Sequence, residues 1–210
     1  MKKMISYGFL LAAIAFMAAC TKDPLRNMTE EESRIYITNY DSSVDFGSYS
    51  TFSIVDSVAI IDDNRFAGAE RSSWDAAFLN ALAEALKARG YVQVPRSNDP
   101  DLGINVSRLF NTYSGIISYP DYWGGYGGYY DPYYWGYGGY PYYFPPRYGV
   151  YQVTEGAMSV DMLDLKNSES TNQIAGIWTG LIRGSGIFNS SSIQSQVNTL
   201  FEQSPYLRTP

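Results

Sequence analysis

Apolar positions in this chain switch between two spacings, and the switches mark its elements. Trp74, Phe78, Leu82 and Leu86 recur every fourth residue, with Leu79 and Ala85 widening the stripe. Ser72 with Asp75 three residues on forms a capping-box pattern, and Gly90 follows Lys87 and Arg89. This spacing predicts a helix from about Ser73 to Arg89. A second stripe, Ile193, Val197, Leu200 and Phe201, predicts a final helix that starts near Ser190–Ser192 and ends by Pro205.

Elsewhere the period is two. Strand patterns cover Ile35–Thr38, Thr51–Val55 and Tyr91–Val94. The Asp62–Arg65 stretch closes the region after the second of these. Leu102-Gly103-Ile104-Asn105-Val106-Ser107 alternates apolar with small or polar residues, which predicts one face in the core and one in solvent. Strand patterns resume over Val150–Leu165 and Gln173–Ile182, joined by a hairpin loop at Lys166–Ser170. Asp161 and Asp164 fall on opposite faces of a regular strand, which argues against a paired acid–base role.

The predicted order is β-β-α-β-β-tract-β-β-α. It implies an α+β domain, a mostly antiparallel sheet of about five to six strands with two helices packed on one face, plus a Tyr/Gly-rich insertion. That insertion, residues 119–149, holds neither period. It is dense in Tyr, Trp and Gly, lacks Lys, Leu, Ile and Val, and is interrupted by Pro132, Pro141, Pro145 and Pro146. It reads as a long, loosely packed excursion between two strands. Tyrosine supplies stiff amphipathic area with a hydroxyl, which suits a glycan, peptidoglycan or another envelope protein. The candidate contact residues are Tyr122, Trp123, Tyr133, Tyr134, Trp135, Tyr142 and Tyr143. Nucleic acid is excluded as a partner, because Arg147 is the single cation of the tract.

The N-terminus alters this picture. Lys2-Lys3, the apolar run Ile5–Met17 and the small residues Ala18-Ala19 form a secretory signal, too short to span a bilayer as a helix. Met17-Ala18-Ala19-Cys20 resembles the lipobox of bacterial lipoproteins, which implies acylation of Cys20, the single cysteine. The resulting expectation is a signal peptide over 1–19, a lipidated tether over 20–33 and one domain over 34–205. Attachment is through the lipid to the outer membrane of a Gram-negative bacterium, since Thr21 stands where Asp would signal inner-membrane retention. Loss of Lys2 and Lys3 lowers the basic residues from 15 to 13 against 21 acids, so the net charge moves from −6 to −8. A chain this acidic has no basic surface to hold an anionic membrane.

There is no histidine, which removes the commonest general base and imidazole metal sites. No catalytic residue, metal site or cofactor is expected. The enzyme alternative is a carboxylate-dependent hydrolase acting on envelope polymers, and it would need two convergent carboxylates in a concave site.

Short motifs are spread over most of the chain: Tyr40-Asp41, Asp45-Phe46, Tyr49-Ser50-Thr51-Phe52, Leu86 to Gly90-Tyr91 and Pro100-Asp101-Leu102. They continue through Glu155-Gly156, Val160-Asp161, Ile177-Trp178-Thr179-Gly180 and Ser204-Pro205. In their order and spacing the chain resembles the domain of unknown function 4136 family of bacterial outer-membrane lipoproteins. The resemblance implies a lipid-anchored α/β envelope domain with a variable insertion at the Tyr/Gly tract, and no established activity.

Overall fold

The computed structural model describes residues 28–63, 65–110, 112–118, 132–143, 148–153 and 156–209. The chain divides into two units, Met1–Ser33 and Arg34–Pro210. In the first, the short helix α1 (Glu30–Ser33) is opened by a reciprocal cap: Thr29 N–H donates to Glu32 Oε2 at 2.8 Å and Glu32 N–H to Thr29 Oγ1 at 3.2 Å.

The second unit carries β1 (Ile35–Tyr40), β2 (Thr51–Ile54), β3 (Val58–Asp62), β4 (Arg65–Glu70) and α2 (Ser73–Ala88). After these come β5 (Val92–Gln93), β6 (Leu102–Phe110), β7 (Thr112–Ser118), β8 (Tyr142–Tyr143) and β9 (Tyr148–Val153). The chain closes with β10 (Ala157–Asp164), α3 (Ser168–Thr171), β11 (Ile174–Arg183) and α4 (Ile193–Glu202).

Helix α2 forms where its stripe predicts. Ser72 N–H donates to Asp75 Oδ2 at 2.7 Å, and Asp75 N–H donates back to Ser72 Oγ at 3.1 Å. At the other end Gly90 takes φ +95°, a conformation that a side chain would strain, and Tyr91 N–H reaches back to the Leu86 carbonyl. The buried face is Trp74, Phe78, Leu79, Leu82 and Leu86, each contributing about 1.5–3 kcal/mol relative to exposure. Arg89 ties the two long helices together. Its guanidinium donates to the carbonyls of Phe201 at the end of α4 and of Ser204 and Leu207 just beyond it.

Nine strands form one open sheet in the order β1-β11-β10-β6-β2-β5, with β3 beside β6, β4 beside β3 and β8 beside β11. β7 and β9 form a separate antiparallel pair. The sheet is mixed rather than mostly antiparallel, and larger than the expected five to six strands. β2 and β6 run parallel because α2 crosses over between them, and such a crossover returns the chain in the same direction. The β3–β4 hairpin escapes the sequence pattern because β4 is Arg-Phe-Ala-Gly-Ala-Glu, weak strand formers with mostly exposed side chains. Four α-helices are present among the described residues, the two short ones unforeseen. One of them, α3, occupies the expected hairpin loop between β10 and β11.

Both long helices cover one sheet face. Trp178 and Gly180 on β11 meet α4, where a Cβ on Gly180 would stand 3.1 Å from Leu200 Cδ2. On the same face, Arg108 pairs with Asp75 of α2 at 2.5 Å.

The second face overturns an expectation. The alternation on β6 predicts a solvated face, yet Gly103, Asn105 and Ser107 are all buried, as are Ser159 and Asp161 on β10 and Thr179 on β11. Thr179 Oγ1 and Ser159 Oγ donate to the two oxygens of Asp161 at 2.9 and 3.2 Å. The Asp161 carboxylate is therefore satisfied by side-chain hydrogen bonds.

Tyr91 supplies a pH test of the core. Its hydroxyl donates to the Phe46 carbonyl at 3.2 Å, and burial pushes its pKa from the usual 10.0 up to about 12. Folding favours the neutral phenol. That stability is complete below pH 10 and is lost as pH rises toward about 12. Tyr91→Phe is expected to cost about 1 kcal/mol at pH 7 and to flatten the decline in urea midpoint between about pH 10 and 12. An unchanged alkaline slope would refute the assignment.

Candidate functional site

An open cleft of about 790 Å³ lies at the β2–β5 edge of the sheet. β2 contributes Ser53 and Ile54, and the turn after it Asp56. The segment leaving α2 supplies Val92, Gln93, Val94, Pro95 and Arg96, with Lys87 from the last turn of the helix and Tyr134 from the insertion. Gly90 reverses the chain so that Tyr91 plugs the core while Val92 and Gln93 turn outward. Val92 is 58 % exposed, the most exposed large apolar side chain among the described residues.

Tyr134 forms one wall. The Asp56 backbone N–H donates to its hydroxyl at 3.3 Å, and the Arg96 guanidinium stacks on its ring at 4.2 Å. Burial raises the Tyr134 pKa above the usual phenol value. With Arg96 and Lys87 against Asp56, the lining has a cationic excess on a chain of net charge −6. Asp56 is the one carboxylate of the lining. Among the described residues no group of three or more His, Cys, Asp or Glu is placed to hold a metal ion.

The predicted contact residues separate. Cys20, Tyr122 and Trp123 lie outside the described residues. Tyr133 lies in the 3-10 turn Pro132–Trp135 with its two neighbours. Trp135 is a correction. It is 4 % exposed, belongs to the core, and its ring approaches so closely that a Cβ on Gly103 would stand 3.1 Å from it. It is the cover of the second sheet face at that point and has no free surface for a ligand. Tyr142 and Tyr143 form β8, pairing in parallel with Ile174 and Ala175. Tyr137 donates to the Leu165 carbonyl at 3.1 Å. Residues 132–143 are thus docked, contrary to the loose excursion expected of the whole tract, because the polar sheet face needs cover and β11 offers an open ladder. Tyr143 stays 44 % exposed.

Sequence reasoning missed the cleft-lining Val92, Gln93 and Arg96, since one exposed strand and a turn arginine carry no motif. The available signal was Val92, an apolar side chain in the short strand pattern Tyr91–Val94 that stops at Pro95.

Motif residues recognised in the sequence do structural work. Asp101 Oδ2 accepts the backbone N–H groups of Ser50 and Thr51 at 2.7 and 3.1 Å, joining β2 to the start of β6. Tyr49 donates to Asp164 at 3.0 Å, and Trp178 Nε1 donates to Ser204 Oγ at 2.9 Å. Asp161 and Asp164 indeed lie on opposite faces, the first with Thr179 and the second with Tyr49.

Comparison with known proteins gives one family: the model described as Domain of unknown function (DUF4136) matches residues 37–206. The crystal structure of a DUF4136 family protein from Bacteroides thetaiotaomicron is similar at 29% identity and TM-score 0.67, covering 84% of this chain and 98% of that one. A PelC dodecamer from Paraburkholderia phytofirmans shares 12% identity at TM-score 0.41, covering 84% of this chain and 99% of that one. A PDZ domain protein from Parabacteroides distasonis shares 12% at TM-score 0.43, covering 85% and 41%. The last two likenesses carry no weight for fold or function. No curated protein sequence matches the chain.

Because Trp135 fills space against Gly103 and Leu165, Trp135→Ala is expected to cost about 3–5 kcal/mol in urea unfolding. A loss below about 1 kcal/mol would return Trp135 to the role of surface side chain.

Proposed function

The chain belongs to the DUF4136 family, and from that premise we propose that it is a non-catalytic binding module of the cell envelope, held at the outer membrane by acylation of Cys20. The cleft at the β2–β5 edge is its contact surface. The observation that supports this reading is the Tyr134–Arg96 stack, which brings the insertion and the domain's own edge together around exposed Val92 and Gln93. Such a lining takes hold of a partner by apolar contact and directed hydrogen bonds. Its single carboxylate, Asp56, offers no pair of acids for glycosidic cleavage. Fitting partners are a glycan, peptidoglycan or an envelope protein.

Tyr143, exposed on β8, is a separate candidate contact in this reading, as are Tyr122 and Trp123 of the same tract. Two or more acyl chains on one cysteine give firm attachment, since each buried methylene contributes about 0.8 kcal/mol.

Two measurements test this. Cys20→Ala is expected to move the protein from the membrane pellet to the soluble fraction, and a variant that still pellets defeats the anchor. A photo-crosslinking side chain at Gln93 in intact cells is expected to capture a discrete product that Arg96→Ala with Tyr134→Ala diminishes severalfold. The same side chain at Asn80, exposed on α2, is expected to capture none. Equal capture at both positions would remove the cleft from consideration.

A further inference from the structure

Two of the sheet's outer strands, β5 and β1, are built differently. β5 is two residues long and is stopped by Pro95 shortly after, the ordinary protection of a sheet edge. β1 has no such protection. Its six residues, Ile-Tyr-Ile-Thr-Asn-Tyr, include no charge, proline or glycine and favour extended structure. One side of β1 pairs with β11 along its whole length, and among the described residues no strand pairs with the other side.

The phase of the ladder fixes which groups point outward. Asp41 N–H donates to the Ile177 carbonyl, so in an alternating antiparallel ladder Ile35, Ile37 and Asn39 also bond to β11. The N–H and C=O groups of Tyr36, Thr38 and Tyr40 therefore point away from the sheet. Ile35 and Tyr40, at the two ends of the strand, are 43 % and 44 % exposed.

These outward positions are symmetric about Thr38. An antiparallel copy related by a twofold axis at Thr38 would oppose Thr38 to Thr38 and Tyr36 to Tyr40, so every outward backbone group meets a partner. The flanks are complementary too. Arg34 and Asp41 bracket the strand with opposite charges, Arg34 donating to the Ser185 and Gly186 carbonyls and Asp41 accepting from Ser43 within their own chain, and the twofold brings Asp41 of one copy opposite Ile35 of the other, next to its Arg34. We propose that β1 is a homodimer seam that joins two nine-stranded sheets into one continuous sheet. The occupant of this edge is a second copy of the same chain. The cleft, at the opposite edge beside β5, stays open in each copy.

The test uses the full chain with Cys20→Ser, so that an introduced cysteine is the single thiol. Thr38→Cys is expected to give a disulfide-linked dimer under mild oxidation, because residues directly opposed across an antiparallel ladder lie about 5.5 Å apart at Cα, within disulfide range. Ile35→Cys, opposed to Asp41 rather than to itself, is expected to give little. In sedimentation, the chain with Thr38 intact is expected at twice its monomer mass. Thr38→Lys, which places two lysines face to face, is expected to weaken association about tenfold or more while keeping a cooperative thermal transition. A chain that stays monomeric at about 100 μM overturns the proposal, even if another protein's strand binds the edge. Equal crosslinking at positions 38 and 35, or crosslinking at neither, also overturns it.

Discussion

The central strands β6, β10 and β11 are buried on both faces, and this constraint organises the molecule. One face is apolar and takes the two long helices. Its other face is lined by Asn105, Ser107, Ser159, Asp161 and Thr179 and is buried as well. Burying a charge is costly unless it is hydrogen-bonded, and Asp161 finds its partners in Thr179 and Ser159, while Asn105 Oδ1 and Ser107 Oγ on the same face have none among the described residues. Trp135 closes the end of that face over Gly103, and Tyr142-Tyr143 fill an open stretch beside β11. Part of the aromatic insertion is therefore a structural cover.

Docking of residues 132–143 is also what makes the cleft. Trp135 is fixed in the core, so its neighbour Tyr134 is held at the β2–β5 edge, edge-on to the Trp135 ring at 5.0 Å. Arg96 then stacks on Tyr134, and the turn after β2 hydrogen-bonds to it. The site is thus assembled from a core anchor outward. Loss of the anchor would dissolve the wall without touching any lining residue directly.

The family motifs and the candidate site occupy different places. Asp101, Tyr49, Asp164, Trp178 and Ser204 knit strand ends and the last helix to the sheet. They explain why the fold is recognisable in the sequence while an activity is not. A motif made of structural hydrogen bonds reports architecture, and Val92, Gln93 and Arg96 belong to no such motif.

What the sequence determined alone was local. The period of Trp74, Phe78, Leu82 and Leu86, with Ser72, Asp75 and Gly90 at its ends, defined α2 almost to the residue, because helix periodicity and capping act within a few residues of one another. The β10 and β11 strands and the final helix were legible for the same reason. Tertiary structure decided what those elements were packed against. Alternation on β6 is the same whether its polar side meets water or a tryptophan from a distant segment, so the sequence pattern leaves that face ambiguous. Parallel pairing of β2 with β6, docking of Trp135 and the cleft at Tyr134 all depend on contacts between segments far apart in the chain. No local period records such contacts, because their energy is gained only once both surfaces are in place.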